Sequence, residues 1–467
     1  MRIGSLLAAV AATVALGVLP GSVSAQAPPP QPPQPAPQQA PPAPAPTGPP
    51  AATAPVLSLD EAVAISLEQQ PLILQQLANY AAARYRVNQA LSPLLPQLTG
   101  NVFATRSKSI IGNSTSQTLG SPIIINNRAA VTNRDFGENF AAQVTMSQLL
   151  FDFGKSIAAT DAAKKNAQSA LEGIELQRQL ITQAVKEAYT NVNFAQRLIL
   201  VQKQAVERAE LNYKSAKGFF EVGTRPKSDV ARAAVDVANA KVDLIRAVNA
   251  ERTAIVALNT AMGFQADRPL KVQDNLVYTP TPIDSFPKLM DEALRQRPEY
   301  RQARLAVESS EASERQTFRN FFPDITGTGT YGGARTDLNE QWSATLNLTW
   351  SIFDGGNRIA KYQEAKANTE SSRASVKATE LNISKDVESA QIAVQEASER
   401  IQAAQTAVES AQENFRLAQG RFDAGVGTIL DLTDAQLALT QALNSEAQAL
   451  ADYRIALARL DRAVGRR

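Results

Sequence analysis

Two hydrophobic periods alternate along this chain. Over most of its length apolar residues return every three to four positions, the spacing of an amphipathic helix; in four short segments they return every second position, the spacing of a strand. The clearest alternation runs over 341–352. Trp342, Ala344, Leu346, Leu348, Trp350 and Ile352 are apolar, and Ser343, Thr345, Asn347, Thr349 and Ser351 are polar. The others are 97–106, 138–150 (Phe140, Ala142, Val144, Met146 and Leu150 against Gln143, Thr145 and Ser147) and 324–331 (Ile325 and Tyr331 against Thr326, Thr328 and Thr330). These patterns predict a mainly helical protein with a small β part of four strands.

The same pattern is written twice. "FDFGK" at 151–155 corresponds to "FDGGN" at 353–357, an offset of 202 that also takes Phe220 to Phe422, Gly223 to Gly425, Asp229 to Asp431 and Gly263 to Gly465. Upstream the offset is 227, taking Pro71 to Pro298 and "PQLTG" to "PDITG". The difference of 25 residues is an insertion in copy one, where "SKSIIGNSTSQTLGSPIIINN" has the punctuation of a long loop. Each copy reads as helix, strand, loop, strand, very long helix, glycine-containing turn, helix. In copy two, Val387, Val394, Ile401, Val408, Phe415 and Phe422 fall every seven residues, with Ala390, Ala397, Ala404, Ala411 and Ala418 three after each of the first five. Copy one repeats this with Val185, Val192, Ile199, Val206, Tyr213 and Phe220; Gln202 is the one exception in its alanine set. Large residues facing alanines allow close helix approach along a coiled-coil seam. The first long helix, from about 155 to 218, would be roughly 95 Å long. "GFFEVGTRP" and "GRFDAGVGT" end the two long helices and turn the chain back. The boundaries are then a first repeat over 56–263, a linking segment over 264–285 and a second repeat over 286–465.

Composition narrows the function. The formal charge is +2, with no cysteine and no histidine. A near-neutral balance argues against nucleic acid as the main partner. Disulfides, a Cys–His nucleophile and the commonest zinc sites are excluded, so no metal, no cofactor and no enzyme activity are expected. Residues 1–25 read as a secretory signal: Arg2, the apolar run "LLAAVAATVALGVL", and Val23-Ser24-Ala25 at the cleavage position. With no cysteine to acylate, a lipoprotein is not expected. Residues 26–55, rich in Pro, Ala and Gln, read as an extended linker. Beyond residue 55 no apolar run reaches the length of a membrane-spanning helix.

The alternating strands are the length that crosses a bilayer when tilted. Trp342 and Trp350 stand about 27 Å apart along a strand at ~3.4 Å per residue, close to the spacing of the aromatic girdles of a membrane barrel after tilting. A half-buried sheet in a soluble sandwich has the same alternation. Four strands cannot close a barrel, and an open edge does not survive in lipid. A membrane location therefore requires several chains to share one barrel.

In order and in duplicate, the motifs resemble the outer-membrane efflux protein family of the TolC type. They are "LSLDEAVAISLEQQP" at 57–71, "LLPQLTG" at 94–100, "LLFDFGK" at 149–155, "FEVGTRPKSDVARA" at 220–233, "LMDEALRQRPEY" at 289–300, "WSIFDGGNRIAKYQEAKA" at 350–367 and "RFDAGVGTILDLTDAQ" at 421–436. The resemblance implies a homotrimer with a 12-stranded barrel in the outer membrane and a helical tunnel in the periplasm. It also implies export driven by an inner-membrane transporter through a periplasmic adaptor. It assigns Gly223, Thr224, Gly425 and Val426 to the periplasmic tip that meets the adaptor, and Asp431, Asp434 and Asp229 to the aperture just inside. Some members hold the tip shut with a tyrosine and an arginine. Phe422 and Gly427 stand at those positions here and cannot form the same links; Arg225 and Lys227 are candidates to replace them. Export of drugs or other small molecules, export of proteins by type I secretion, and a non-conducting periplasmic coiled coil all remain open at this point.

Overall fold

The computed structural model describes residues 56–108, 136–274, 276–334 and 339–466. The expected signal and linker, and the inserted loop from residue 109 on, lie outside the described residues. In chain order the elements are β1 (Val56–Leu57), α1 (Leu59–Gln69), α2 (Pro71–Leu91), β2 (Gln97–Lys108), β3 (Phe136–Phe151), α3 (Lys155–Glu221), α4 (Lys227–Ala261), β4 (Lys271–Val272), α5 (Phe286–Gln296), α6 (Pro298–Arg319), β5 (Asp324–Ala334), β6 (Asn339–Thr349), α7 (Asn357–Asp423) and α8 (Ile429–Val464). Helix dominates, as the periodicity indicates. Apart from the short β1 and β4, the second half of this series repeats the first.

The long helices α3 and α7 each have 67 residues, about 100 Å at ~1.5 Å per residue. Their heptads are the core. Val387, Val394 and Ile401 of α7 are fully buried against Leu450, Tyr453, Ala456 and Leu460 of α8. Val185 and Val192 of α3 are buried with Leu258 of α4 and Met262 just past its end, and with Leu57, Ile73 and Val272. The exception Gln202 faces the other repeat, where its side-chain amide donates to Asn444 of α8 at 3.4 Å. The seam between α3 and α8 is therefore partly polar; Asn212 donates to Gln436 at 2.7 Å on the same seam.

Prolines set the upper helix breaks. Pro71 and Pro298 occupy the first turn of α2 and α6, and the residues before them, Gln70 and Arg297, are extended, as the proline ring requires. The linking segment over 264–285 is held along the long helices. β1 and β4 pair in parallel, the Tyr189 hydroxyl lies 3.0 Å from the Gln273 carbonyl, and the Tyr453 hydroxyl donates to Thr279 at 3.1 Å.

Strands β2-β3-β5-β6 form one antiparallel sheet in that order. Its register puts Leu98 opposite Met146, Val144 opposite Tyr331, Tyr331 opposite Trp342, and Ile325 opposite Leu348 on one face. The other face pairs Thr99 with Thr145, Thr145 with Thr330, Thr328 with Thr345, and Thr326 with Asn347. One expectation is corrected. Strand β6 stops at Thr349, so Trp350 and Ile352 lie beyond it. The register would place Trp350 opposite Pro323, which has no N–H to give the ladder. The Trp350 indole instead donates to the Phe321 carbonyl at 3.1 Å.

Gly263 closes copy one and supports a stability prediction. It ends α4 with φ +84, and a β-carbon there would stand 3.0 Å from the Gln70 backbone. Gly223 has a similar φ of +77 with open space around it. Gly263→Ala is expected to cost about 2–4 kcal/mol, from a left-handed alanine plus a backbone overlap. Gly223→Ala should cost only the first part, about 1–2 kcal/mol. Denaturant unfolding followed by helical circular dichroism measures both, and equal losses would show that the contact with Gln70 is unimportant.

Candidate functional site

Two parts of the fold have exposed chemistry that packing does not explain. The first is the four-stranded sheet. Leu98, Val102, Trp342, Leu346 and Leu348 on its apolar face are all more than 60% exposed, a contiguous apolar surface too large to be left in water without a partner phase. The opposite face is lined by hydroxyl and amide side chains, with Thr330 and Ser343 2.6 Å apart across β5 and β6. Among the described residues, β2 and β6 each have one free edge. Trp342 lies on the apolar face within β6. Trp350 is half-exposed below the strand end, where the sheet gives way to the helices. There Lys155, at the start of α3, donates to both carboxylate oxygens of Asp324, at the start of β5, and so couples the two copies.

The second is the far end of the long helices, where α3 turns into α4 and α7 into α8. Gly223 and Gly425, with φ of +77 and +78, end α3 and α7. The Thr224 amide returns to the Phe219 carbonyl and the Val426 amide to the Arg421 carbonyl, closing both turns by the same bond. The Thr224 hydroxyl donates to Phe219 as well. Val426 projects at the apex with 80% of its surface free.

The three aspartates predicted for an aperture are not equivalent here. Asp431 is the third residue of α8 and forms a capping box. Its carboxylate accepts the Thr428 amide at 3.2 Å, and its own amide donates to the Thr428 hydroxyl at 3.2 Å. Those bonds from Thr428 hold the Asp431 carboxyl below the usual range. Asp229 lies 3.7 Å from Arg225, with both side chains largely covered. Asp434, one turn further along α8, is exposed and has no bonded partner among the described residues. It is the one carboxylate of the three that packing leaves free. Lys227 begins α4 and is exposed.

The position of Phe422 corrects the symmetry of the heptads. Phe422 is fully buried, while its copy-one equivalent Phe220 is 41% exposed. The inward place in copy one belongs to Phe219, whose ring meets that of Phe422 at 5.7 Å, edge to face. The periodicity alone missed Phe219, since the helix ends within a turn of it. A contact between repeats was also missed: the Thr433 hydroxyl of α8 donates to Asp236 of α4 at 3.0 Å. No helix among the described residues is long and apolar enough to cross a membrane, and they contain no cluster of acidic groups suited to a metal ion.

The sequence profile of the family described as "Outer membrane efflux protein" matches residues 63–264 and 289–466, one match on each repeat. The chain is 25% identical over 424 residues to the alkaline protease secretion protein AprF of Pseudomonas aeruginosa, covering 86% of this chain and 83% of that one. It is 23% identical over 411 residues to the outer membrane protein TolC of Vibrio cholerae, covering 85% and 88%. The fold superimposes on the MtrE outer membrane channel of Neisseria gonorrhoeae with a TM-score of 0.73 at 20% identity, covering 87% of this chain and 89% of that one.

Proposed function

The chain belongs to the outer membrane efflux protein family, and from that premise we propose that three copies assemble into one duct spanning the outer membrane and the periplasm. As a member of that family it is an outer-membrane efflux channel protein of the TolC type, not one of a family of enzymes. The observation that carries the trimer is the sheet with two free edges, an exposed apolar face and a hydroxyl-lined opposite face. A free strand edge in hydrocarbon leaves its amides and carbonyls unsatisfied. Pairing β6 of one copy with β2 of the next removes every edge, and three copies give 12 strands. The apolar faces then meet lipid, with Trp342 and Trp350 at the two interfaces, and the threonine faces line water. The long helices continue that passage into the periplasm. The tip turns at Gly223, Thr224, Gly425 and Val426 receive a periplasmic adaptor that couples the duct to an inner-membrane transporter. Residues 1–25 direct the chain out of the cytoplasm and are removed.

The cargo reading is drugs or other small molecules. Export of a protein is a second reading, favoured by the similarity to AprF, which is named for alkaline protease secretion. Deleting the gene separates them: greater sensitivity to drugs supports the first, and loss of a secreted protein from the medium supports the second.

The assembly is tested by native mass measurement of the detergent-purified protein together with planar-bilayer recording. The expected outcome is a trimer that conducts. A conducting monomer or dimer would overturn the shared barrel, and a trimer that never conducts would favour a periplasmic structural role.

A further inference from the structure

Arg315, Phe318 and Arg319 lie on one face of the last two turns of α6, and Phe322 follows in the turn that leads to β5. The Phe318 and Phe322 rings are 6.0 Å apart, edge to face. Phe153, in the turn between β3 and α3, stacks on Phe322 at 5.1 Å and meets Phe151 at 4.7 Å. Phe151 pairs with Ile325 on the apolar face of the sheet, so this line of rings carries that face down onto α6. With Tyr362 of α7 and Glu311 and Glu314 of α6, the rings and the two arginines surround an open pocket of about 630 Å³. α6 lies between α3 and α7, where Ser309 donates to the Ala162 carbonyl and the Ser310 and Ser372 hydroxyls are 2.9 Å apart. One chain therefore supplies the whole pocket.

Packing within the chain does not account for this set. Phe153, Phe318 and Phe322 are each at least 40% exposed. Phe153 has φ +55, a left-handed conformation that strains a bulky residue, where copy two has Gly355 with φ +68. Arg315 is exposed and has no bonded partner among the described residues, and Arg319 bonds the Gly154 carbonyl but no carboxylate. Glu311 is held by Arg373 at 2.9 Å, whereas Glu314 has no bonded partner among the described residues. At the matching positions of copy one, 227 residues earlier, stand Asn88, Leu91, Ser92 and Leu95, with neither charge nor ring. The arrangement occurs once per chain.

We propose that this pocket binds the headgroup of a glycerophospholipid, with the phosphate between Arg315 and Arg319, an ammonium beside Glu314, and the acyl chains along Phe153, Phe151 and the apolar face. The proposal rests on the reading of that face as lipid-facing. The planar arginine fork suits a phosphate, and basic groups beside a membrane surface take lipid headgroups. The depth agrees: the Trp350 indole, at the interface in that reading, donates to the carbonyl of Phe321, next to Phe322.

The two tryptophans of the chain separate the site from the lipid around it. Trp342→Phe leaves Trp350 beside the pocket, and Trp350→Phe leaves Trp342 on the sheet. Each protein, in nonionic detergent, is titrated with phosphatidylethanolamine or diacylglycerol brominated in the acyl chains, and quenching is read. At Trp350 the phospholipid is expected to act at a concentration about threefold lower than diacylglycerol, the size of one exposed ion pair. At Trp342 the two lipids should act alike. Arg315→Ala should abolish the difference at Trp350. Phe153→Gly, which relieves the turn, should reduce it with helical circular dichroism unchanged. Equal action of the two lipids at Trp350, or a preference that survives both substitutions, overturns the site. Brominated phosphatidylglycerol that binds as tightly as phosphatidylethanolamine removes the ammonium and Glu314 from it. Insertion is read apart, in bilayers of the brominated phospholipid, where Trp342 should be strongly quenched. An unquenched Trp342 overturns the lipid-facing sheet and the site with it; a quenched Trp342 with no preference at Trp350 overturns the site alone.

Discussion

Arg297→Ala is expected to lower the unfolding free energy by about 3 kcal/mol, the lower end of what removing one partner from a buried ion pair costs. Arg297 is 3% exposed, at the break between α5 and α6. Its guanidinium donates to Glu299 at 2.9 Å and to Asp386 of α7 at 3.1 Å, and Arg462 of α8 reaches the same Glu299 at 3.2 Å. Arg297 thus joins the short helices of copy two to α7, and the shared Glu299 brings in α8 through Arg462. The loss stays at the lower end because Glu299 keeps Arg462 and because Asp386 is partly solvated. The acid dependence supplies an independent check. Burial pushes the Glu299 carboxyl up, but the bonds and charge of Arg297 outweigh it and leave the group below its ordinary value. A depressed folded value stabilises fully above the unfolded value, about 4.3 for glutamate, and is lost as the pH falls through the folded value. Without Arg297 the largest of the influences that lower the Glu299 carboxyl is gone, and this acid-side loss shrinks. The gap between parent and variant should be widest at neutral pH and narrow in acid. Denaturant unfolding by circular dichroism at several pH values measures it, and a gap that does not change with pH would show that Arg297 acts by packing alone.

Arg297 also marks where sequence reading stopped. Its copy-one equivalent is Gln70, which makes the neutral counterpart of this junction by donating to the Ala261 carbonyl at 2.9 Å. The repeat offset aligned Pro71 with Pro298 and so exposed the helix break, but not which of the two preceding residues would be charged and buried. The elements themselves were legible because long period-seven and period-two runs leave little alternative. The strand end was not, because the alternation of Trp350 and Ile352 continues past the last backbone partner, and only the register reveals that Pro323 stands opposite. At the tip the equivalence of Asp229 and Asp431 was readable from the offset. The fate of Asp431 was readable as well, because Thr428 followed three residues later by Asp431 has the spacing of a capping box; the fate of Asp229 was not. Asp229 meets an arginine where copy two has Gly427, and Asp431 meets a threonine where copy one has Pro226. Repetition therefore predicted position, and the departures from repetition determine the chemistry.

That distinction sharpens the expectation for the aperture. Asp431 is engaged in its cap and Asp229 with Arg225, so the carboxylate left without a bonded partner among the described residues is Asp434. On the proposed trimeric duct it would supply three like charges around one passage, a ring that attracts cations and favours multivalent ones. For three carboxylates placed about 8 Å from a divalent cation, with screening over a Debye length of ~10 Å, removal weakens its binding about tenfold. Asp434→Ala is therefore expected to raise the concentration of divalent cation needed to block the channel by about that factor and to lower cation selectivity. Asp431→Ala should instead loosen the first turn of α8, seen as faster amide exchange there, with block nearly unchanged. Single-channel recording in planar bilayers reads both variants. If Asp434→Ala conducts as an intact trimer with the parent's selectivity and block, the carboxylate lies off the conducting path. If Asp431→Ala alone abolishes the block, the capped carboxylate is the one the cation meets, and the cap must open for it to do so.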